Sequence, residues 1–304
     1  MSTPIGSDHY PPSMHPDAAS AGTYPLGPFS VHRIGYGAMQ LPGPGVFGPP
    51  KDRAVALAVL RRAVELGVNH IDTSQYYGPD VANDLIHEAL HPYPAGLALV
   101  SKVGAGRDSA GGWFPRQKPA ELRAGVEENL RSLGVDQLAA VNLRRLDRPG
   151  GDDPAFEDQL AEMVALRAEG KIAGIGVSNV TAAQVETAIE LAGIVCVQNP
   201  FSLVDRTAET ILDRCRAERV AYVPFFPLGS AFPGMPKVVD HPAARAVARR
   251  LGATPQQVGL AWLLARAPNI LLIPGTSSIT HLEENLAVGS VSLSTEDIAA
   301  LEGR

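Results

Sequence analysis

The chain has little of what marks a secreted, membrane-embedded or nucleic-acid-binding protein. Its 304 residues include only 2 cysteines. Cys196 and Cys215 do not make a disulfide framework, so we expect both thiols to be reduced and buried. No apolar run reaches the length of a membrane-spanning helix, and the first residues lack the cationic and apolar segments of a signal peptide. The net charge of −6 disfavours nucleic acid or an anionic membrane as partner. These absences predict a cytoplasmic protein with neither kind of partner.

The pattern along the chain predicts one α/β domain. Residues 1–23 are rich in Pro, Ser, Gly and His without periodicity, which predicts a disordered leader. From residue 24 to residue 304, apolar strand-like runs alternate with helical patterns. The strand-like runs are Arg33–Met39, Val68–Thr73, Leu97–Val103, Leu138–Leu143, Ile172–Ser178, Ile194–Gln198, Ala221–Phe226 and Ile270–Gly275. The helical patterns are Asp52–Leu66, Asp80–Leu90, Pro119–Leu133, Ala155–Glu169, Ala182–Leu191, Arg206–Glu218, His241–Leu251 and Thr254–Arg266. This alternation predicts a closed parallel (β/α)8 TIM barrel with long loops at its C-terminal face.

Three residue types that together make an acid catalyst follow two of the predicted strands. Asp72 and Tyr77 lie in the run His70–Gly78, and Lys102 ends the next strand. A phenol has an ordinary pKa near ~10. It needs a close cation to become a proton donor near neutral pH, and the cation needs a carboxylate to hold it. The alternative is a buried tyrosine beside an ordinary ion pair. Tyr76 is expected to face the other way, because adjacent strand residues alternate.

Two long loops are expected at the same face of the barrel. Residues 104–118 are Gly-rich and carry Trp113, a candidate for contact with the substrate, and residues 229–237 form the second loop. Long loops at that face often carry function, and a tolerated surface insertion is the alternative.

Six segments, from about residue 29 to the C-terminus, give the chain a resemblance to the aldo-keto reductases. They are Gly35–Met39, His70–Gly78, Ser101–Lys102, Gly174–Asn179, Val197–Asn199 and Ile273–Asn285. All six occur in the order and at the spacing of that family. The stretches Gly35–Pro50, Ala221–Gly229 and Asn269–Ser278 resemble its pyridoxal reductase branch more narrowly.

The resemblance implies a catalytic group of Asp, Tyr, Lys and usually His. Asp72, Tyr77 and Lys102 match the first three positions. Arg144 stands where most relatives have His, so the resemblance places a permanent cation at the substrate. Unlike His, an Arg cannot act as a neutral donor. The bland alternative is a structural Arg that neutralises a buried carboxylate.

The resemblance also implies an NADP(H) site. It places Ser178, Asn179 and Gln198 at the nicotinamide carboxamide and Phe225 against the nicotinamide face. Gly37, Ala38, Met39 and Asp72 belong to the same cofactor-binding set. The pyrophosphate loop matches Phe226, Pro227, Leu228, Gly229 and Ser230. The adenosine 2′-phosphate and adenine site matches Gly275, Thr276, Ser277, Ser278, His281, Glu284 and Asn285. From the residues alone, a Gly-Thr-Ser-Ser turn before a helix offers donors to an anion.

The implied activity is NADPH-dependent reduction of an aldehyde, with pyridoxal reduced to pyridoxine. A reductase of other aldehydes or ketones, including a biosynthetic tailoring enzyme, and a non-catalytic cofactor-sensing scaffold are the alternatives. The expected partner is a small carbonyl substrate, and the expected assembly is a monomer or weak homo-oligomer. The run His87–His91 spells a zinc-peptidase signature. Pro92 and Pro94 end that helix at once, so we expect no metal site there.

Overall fold

A computed structural model describes residues 15–146, 154–229 and 234–303. Its strands are β1 (Thr23–Leu26), β2 (Phe29–His32), β3 (Tyr36–Gly37), β4 (His70–Asp72), β5 (Ala98–Val103), β6 (Ala105–Arg107), β7 (Trp113–Pro115), β8 (Ala140–Arg144), β9 (Ile175–Ser178), β10 (Cys196–Gln198) and β11 (Ala221–Tyr222). Its helices are α1 (Arg53–Glu65), α2 (Val81–Leu90), α3 (Pro119–Leu133), α4 (Phe156–Ala168), α5 (Ala182–Ala192), α6 (Glu209–Ala217), α7 (Pro242–Leu251), α8 (Pro255–Arg266), α9 (Ile279–Leu286) and α10 (Thr295–Glu302).

The central feature is a curled parallel sheet of 7 strands in the order β11-β10-β9-β8-β5-β4-β3. The segment that the sequence predicts as the last strand contacts both edges of this sheet. Ile270 makes a parallel bridge to Tyr222, and Leu272 makes one to Ile34. Parallel strands joined by helices place the carboxyl ends of all strands at one face. That geometry gathers the polar residues at the strand ends into one region.

Local signals explain why the helices begin and end where they do. The Thr254 side chain accepts the backbone N–H of Gln257, and the Gln257 side chain accepts the backbone N–H of Thr254 at the start of α8. This reciprocal cap satisfies backbone donors that the first helical turn leaves free. Gly134 follows α3 with φ of 66°, a left-handed conformation in which glycine avoids the steric cost of a side chain.

A hairpin of β1 and β2 packs against the apolar residues inside the sheet. Its Leu26 and Val31 belong to one buried cluster with Val100, Cys196 and Leu271. This cluster fills the interior below the strand ends, so the polar residues there lie on a packed apolar floor. Both cysteines are buried free thiols, as expected.

The structure differs from the sequence-based expectations in several elements. Residues 15–23 of the predicted leader include a short 3-10 helix over Ala18–Ala21, with Ala18 fully buried, and the first residue of β1. Residues 1–14 lie outside the described part. The final helix, α10, has no counterpart among the predicted helical patterns, whereas α7 and α8 lie where two of those patterns predict them. The Gly-rich residues 104–118 contain an antiparallel hairpin of β6 and β7 instead of an irregular loop.

No helix among the described residues is both long enough and apolar enough to cross a lipid bilayer.

Candidate active site

Consecutive strands bring four of the predicted site residues together. Asp72 ends β4, Lys102 lies near the end of β5, Arg144 ends β8 and Gln198 ends β10. The backbone register pairs Arg144 and Gln198 each with Ser178 of β9. Arg144 and Gln198 therefore occupy one level at the carboxyl end of the sheet, while Lys102 pairs with Asn142 and Asp72 with Val100, which lie nearer the middle of their strands.

Asp72 and Lys102 form a buried, hydrogen-bonded ion pair. Lys102 Nζ donates to Asp72 Oδ1 and also to the Thr73 carbonyl oxygen at 3.1 Å. The other carboxylate oxygen, Asp72 Oδ2, accepts from Gln198 Nε2 at 2.7 Å. The side chains of Lys102 and Asp72 are only 5% and 3% exposed. A buried ion pair is tolerated when hydrogen bonds satisfy its other groups. Here both carboxylate oxygens of Asp72 and two of the three N–H groups of Lys102 have partners.

Tyr77 lies beside this pair in a turn that follows β4. Lys102 Nζ is 5.1 Å from the centroid of the Tyr77 ring. Burial raises the pKa of Tyr77 above its ordinary value, the Asp72 charge raises it further, and the Arg144 charge lowers it. The phenol is therefore protonated at neutral pH, which is the form that a proton donor needs. Arg144 is the cation that lowers this pKa, whereas Lys102, which the sequence predicted for that role, is paired with Asp72.

The neighbouring Tyr76 does not face away from Tyr77 as the sequence suggested. Both residues lie in a turn, where the alternation of strand side chains does not apply. Their rings meet edge to face with centroids 5.4 Å apart, and both line the same cleft. Tyr76 is therefore a site residue that sequence reasoning excluded.

Arg144 lies at the wall of this cleft. Its guanidinium carbon is 5.4 Å from the centroid of the Phe225 ring, and Nη1 donates to Ser178 Oγ at 3.4 Å. The side chain is half-buried, and none of the contacts described for it is with a carboxylate. Among the residues that the structure describes, no buried carboxylate accounts for an Arg at this position.

A hydrogen-bond network behind the sheet holds the strand ends in place. Asn129 of α3 accepts from Asn83 Nδ2 at 3.0 Å and from Ser101 Oγ at 2.6 Å. It donates to Gln75 Oε1 at 2.7 Å. Ser101 precedes Lys102, and Gln75 belongs to the turn that carries Tyr77. One fully buried amide therefore connects the strand that carries Lys102 to the turn that carries Tyr77.

The cleft above these residues has a volume of about 310 Å³. The predicted site residues among its lining are Gly37, Met39, Asp72, Tyr77, Lys102, Trp113, Arg144, Gln198, Phe225, Phe226, Pro227, Leu228, Gly229, Gly275 and Asn285. Lining residues that sequence reasoning missed are Gln40, Tyr76, Pro224, Ile273 and Pro274. A larger cavity of about 510 Å³ lies outside the sheet beside Trp262, but acids and bases there, such as Glu209 and Arg266, are paired with one another.

Glycines give the cleft its close-packed floor. A Cβ atom added to Gly37 would lie 2.5 Å from the Ile273 carbonyl oxygen, and one added to Gly275 would lie 2.6 Å from the Gly37 carbonyl oxygen. Only glycines allow the two backbones to approach this closely. These positions join the first strand of the sheet to the segment that precedes α9.

Some predicted cofactor residues are placed away from the cleft lining. Ser178 is fully buried behind Arg144. The side chain of Asn179 donates to the Arg145 carbonyl oxygen at 2.8 Å, and its backbone has a φ of 59°. Ala38 is fully buried. Of the three residues predicted for the carboxamide, Gln198 alone lines the cleft as described.

The predicted phosphate site lies at the start of α9. Ser278 is the N-cap, and its hydroxyl accepts the His281 N–H at 3.4 Å. Thr276 is buried and its hydroxyl accepts the Ser278 N–H at 3.0 Å, whereas Ser277 and His281 are exposed. Glu284 lies one turn along, where its carbonyl oxygen accepts from the Gln257 side chain. Ser230 lies outside the described residues.

Comparison with known proteins assigns the fold and the family. The family model described as "Aldo/keto reductase family" matches residues 33–303. The chain is 50% identical over 286 residues to pyridoxine 4-dehydrogenase of Escherichia coli (strain K12), covering 93% of this chain and 98% of that protein. It is 38% identical over 286 residues to an uncharacterised oxidoreductase of Schizosaccharomyces pombe, covering 94% and 90% of the two chains.

A solved structure extends this similarity to three dimensions. An aldo/keto reductase from Klebsiella pneumoniae, crystallised with NADP and acetate, superposes with a TM-score of 0.76 at 27% identity, over 92% of this chain and 94% of that one. The chain belongs to the aldo/keto reductase family.

Proposed function

We propose that this aldo/keto reductase reduces the aldehyde of pyridoxal to the primary alcohol of pyridoxine, with NADPH as reductant. The observation that carries the proposal is a protonated, buried Tyr77 beside the Asp72–Lys102 pair, with the Arg144 cation on the wall of the same cleft. The 50% identity to an enzyme named pyridoxine 4-dehydrogenase supports the substrate. The Klebsiella relative crystallised with NADP supports the cofactor.

The residues of the cleft fit a dinucleotide cofactor. Gly37 and Gly275 leave an open backbone floor, and the ring of Phe225 offers a flat apolar face. Gln198 uses its Nε2 on Asp72, so its Oε1 would accept a carboxamide N–H. The N-terminus of α9 with Ser277 would hold a phosphate, because backbone N–H groups and the helix dipole favour an anion there. When bound, the reduced nicotinamide supplies a hydride to the aldehyde carbon.

Tyr77 completes the reduction by donating its proton. As the aldehyde carbon is reduced, negative charge develops on the carbonyl oxygen, and the phenol hydroxyl protonates it to give the alcohol. The tyrosinate that remains is stabilised by the positive charge of Arg144 until solvent returns a proton. Lys102 is held by Asp72 and the Thr73 carbonyl, which fixes its position under the Tyr77 ring.

Arg144 gives the substrate preference. Pyridoxal carries an acidic phenol beside its aldehyde. A guanidinium can bind both oxygens as a fork, which an imidazole cannot do. With the Asp72–Lys102 pair internally neutral, Arg144 supplies the positive charge that a phenolate oxygen would meet at this wall.

The parallel sheet that carries this site has two edges that a further strand would join into a closed barrel. We propose that the segment from residue 270 to residue 273 acts as the eighth strand, on the basis of its bridges to Tyr222 and Ile34. The close approach of Gly275 to Gly37 also supports this, because it brings the end of the segment against the first strand of the sheet.

The test compares Arg144→His with the unchanged enzyme on pyridoxal and on benzaldehyde, which lacks the phenol. Loss of a charge-assisted contact corresponds to a fall of about tenfold to a hundredfold in kcat/KM on pyridoxal. The fall on benzaldehyde should be much smaller. Arg123→His is the control and should leave both rates unchanged, because Arg123 is a partly exposed residue of α3 that pairs with Glu162 and Glu169 and does not line the cleft.

Each other outcome has a definite meaning. An equal loss on both aldehydes would assign Arg144 to catalysis or structure in general. No loss on either would remove it from substrate recognition. Turnover of benzaldehyde without turnover of pyridoxal would refute the substrate and leave an NADPH-dependent reductase of other aldehydes.

A further inference from the structure

The hairpin of β6 and β7 carries an arginine stacked between two aromatic rings at the cleft mouth. The guanidinium carbon of Arg107 lies 4.2 Å from the ring centroid of Trp113 and 5.4 Å from that of Phe47. Its Nη2 donates to the Gly45 carbonyl oxygen at 3.0 Å. Its Nε and Nη1 are buried and have no hydrogen-bond partner among the described residues. The guanidinium is therefore held by ring faces more than by hydrogen bonds.

Arg107 joins loops that are distant in sequence. Phe47 and Gly45 belong to the loop after β3, which is itself bonded to the turn after Tyr77, since Gly78 N–H donates to the Val46 carbonyl oxygen at 3.1 Å. Trp113 belongs to the hairpin on the other side of the guanidinium. The arginine thus connects the hairpin to the loop that abuts the catalytic turn.

This arrangement fixes the orientation of Trp113, whose side chain forms part of the cleft wall. It lines the cleft and meets Tyr76 edge to face, with ring centroids 5.4 Å apart. The residue is nevertheless 45% exposed. An indole this exposed has few packing contacts to fix its rotamer, so the stacked guanidinium on one face and Tyr76 at the other side define its orientation.

We propose that Arg107 is a positioning residue that holds Trp113 as a flat wall and thereby makes the cleft selective for planar aromatic aldehydes. This rests on the proposed function, since it assigns a substrate class to the same site. Two buried N–H groups without partners are costly. They are explained by the geometry, because a planar delocalised cation fills the gap between two rings as no other side chain does.

The test is Arg107→Lys, which keeps the charge and loses the planar stack. The free energy that is needed to immobilise a flexible side chain corresponds to a change of about three- to tenfold in affinity. We therefore expect KM for pyridoxal to rise about three- to tenfold, with kcat nearly unchanged, and KM for butanal to stay nearly constant. Arg116→Lys is the matched control, because Arg116 anchors the same hairpin to Glu128 of α3 without touching Trp113. It should leave both KM values unchanged.

A double variant separates positioning from a general structural role. In a Trp113→Ala background, Arg107→Lys should have no further effect on KM for pyridoxal. A further rise there, or an equal rise for butanal in the single variant, would overturn the proposal.

A fluorescence measurement tests the same idea without turnover. The emission lost on Trp113→Phe isolates the indole of Trp113 from the buried Trp262. Acrylamide should quench that emission more strongly in Arg107→Lys than in Arg116→Lys. Equal quenching would refute the positioning role of Arg107. If the quenching changes while pyridoxal proves not to be a substrate, the proposed function has failed and the positioning role stands.

Discussion

A buried histidine on the strand that carries Asp72 is expected to make the stability of the fold depend on pH. His70 lies two residues before Asp72 on β4 and is 1% exposed, and its Nδ1 has no hydrogen-bond partner among the described residues. Burial lowers its pKa from 6.5 to about 4, the Asp72 charge opposes this, and the Lys102 charge adds to it. The imidazole is therefore neutral in the folded protein at pH values where the unfolded chain already binds a proton.

The direction of the effect follows from that difference. Above pH 6.5 His70 is neutral in both states, so its full contribution to stability is present. As the pH falls from 6.5 towards about 4, the unfolded state takes up a proton that the folded state does not, and stability is lost. At about 1.4 kcal/mol for each unit of pKa, the complete loss is on the order of 3 kcal/mol.

The assay is urea unfolding, followed by circular dichroism, of the unchanged protein and of His70→Gln at neutral pH and near pH 4.5. Glutamine does not titrate, so the variant should lose about 2 to 3 kcal/mol less stability on acidification. The stability that both proteins lose because carboxylates become protonated is the same, so it cancels in the comparison. His281→Gln, a change at an exposed histidine, should lose as much stability as the unchanged protein. Parallel pH profiles for the protein and His70→Gln would refute a neutral buried His70.

Three further outcomes are expected at the site. Tyr77→Phe should reduce single-turnover hydride transfer by about 10²–10⁴-fold while NADPH still binds, and Tyr76→Phe should reduce it far less; a loss below about tenfold for Tyr77→Phe would assign the proton to another group. Lys102→Met should also lower hydride transfer, because the uncompensated Asp72 charge raises the pKa of the Tyr77 phenol further. It should also cost about 3–5 kcal/mol of stability in urea unfolding, because it leaves Asp72 buried without its cation. Replacing Thr276 by Val and Ser277 by Ala together should weaken NADPH binding more than NADH binding in fluorescence titrations; an unchanged ratio would place the 2′-phosphate elsewhere.

Local signals explain how much of the fold the sequence predicts. Helix α3 has the predicted bounds, because Pro119 starts it and Gly134 ends it through backbone conformations that few other residues share. The strand run Arg33–Met39 shrinks to Tyr36–Gly37, since apolar character does not show where the ladder pairs. The β6–β7 hairpin has no periodic pattern in its Gly-rich sequence and was not predicted.

The same limit applies to the site. Asp72 and Lys102 are predictable because parallel strands end at a common face. Arg144 and Gln198 were predicted from the resemblance to the family, and they lie at the ends of β8 and β10 of the same sheet. Tyr76 was assigned to the wrong side because the rule of alternation was extended from β4 into a turn. The stack of Arg107 on Phe47 and Trp113 depends on loop packing between segments distant in sequence, which no local signal reports.

The charge balance of the cleft couples substrate recognition to proton donation. Asp72 and Lys102 neutralise each other, so Arg144 is the cation that lowers the pKa of Tyr77. A substrate that places a phenolate against Arg144 neutralises this charge as well, and the pKa of Tyr77 must then rise further. The kcat for pyridoxal should therefore decline at a higher pH than the kcat for benzaldehyde, because the Tyr77 hydroxyl stays protonated to a higher pH. The kcat–pH profiles for the two aldehydes measure this directly. If kcat declines at the same alkaline pH for both aldehydes, the phenolate oxygen of the substrate does not reach Arg144, whatever the loss of activity in Arg144→His.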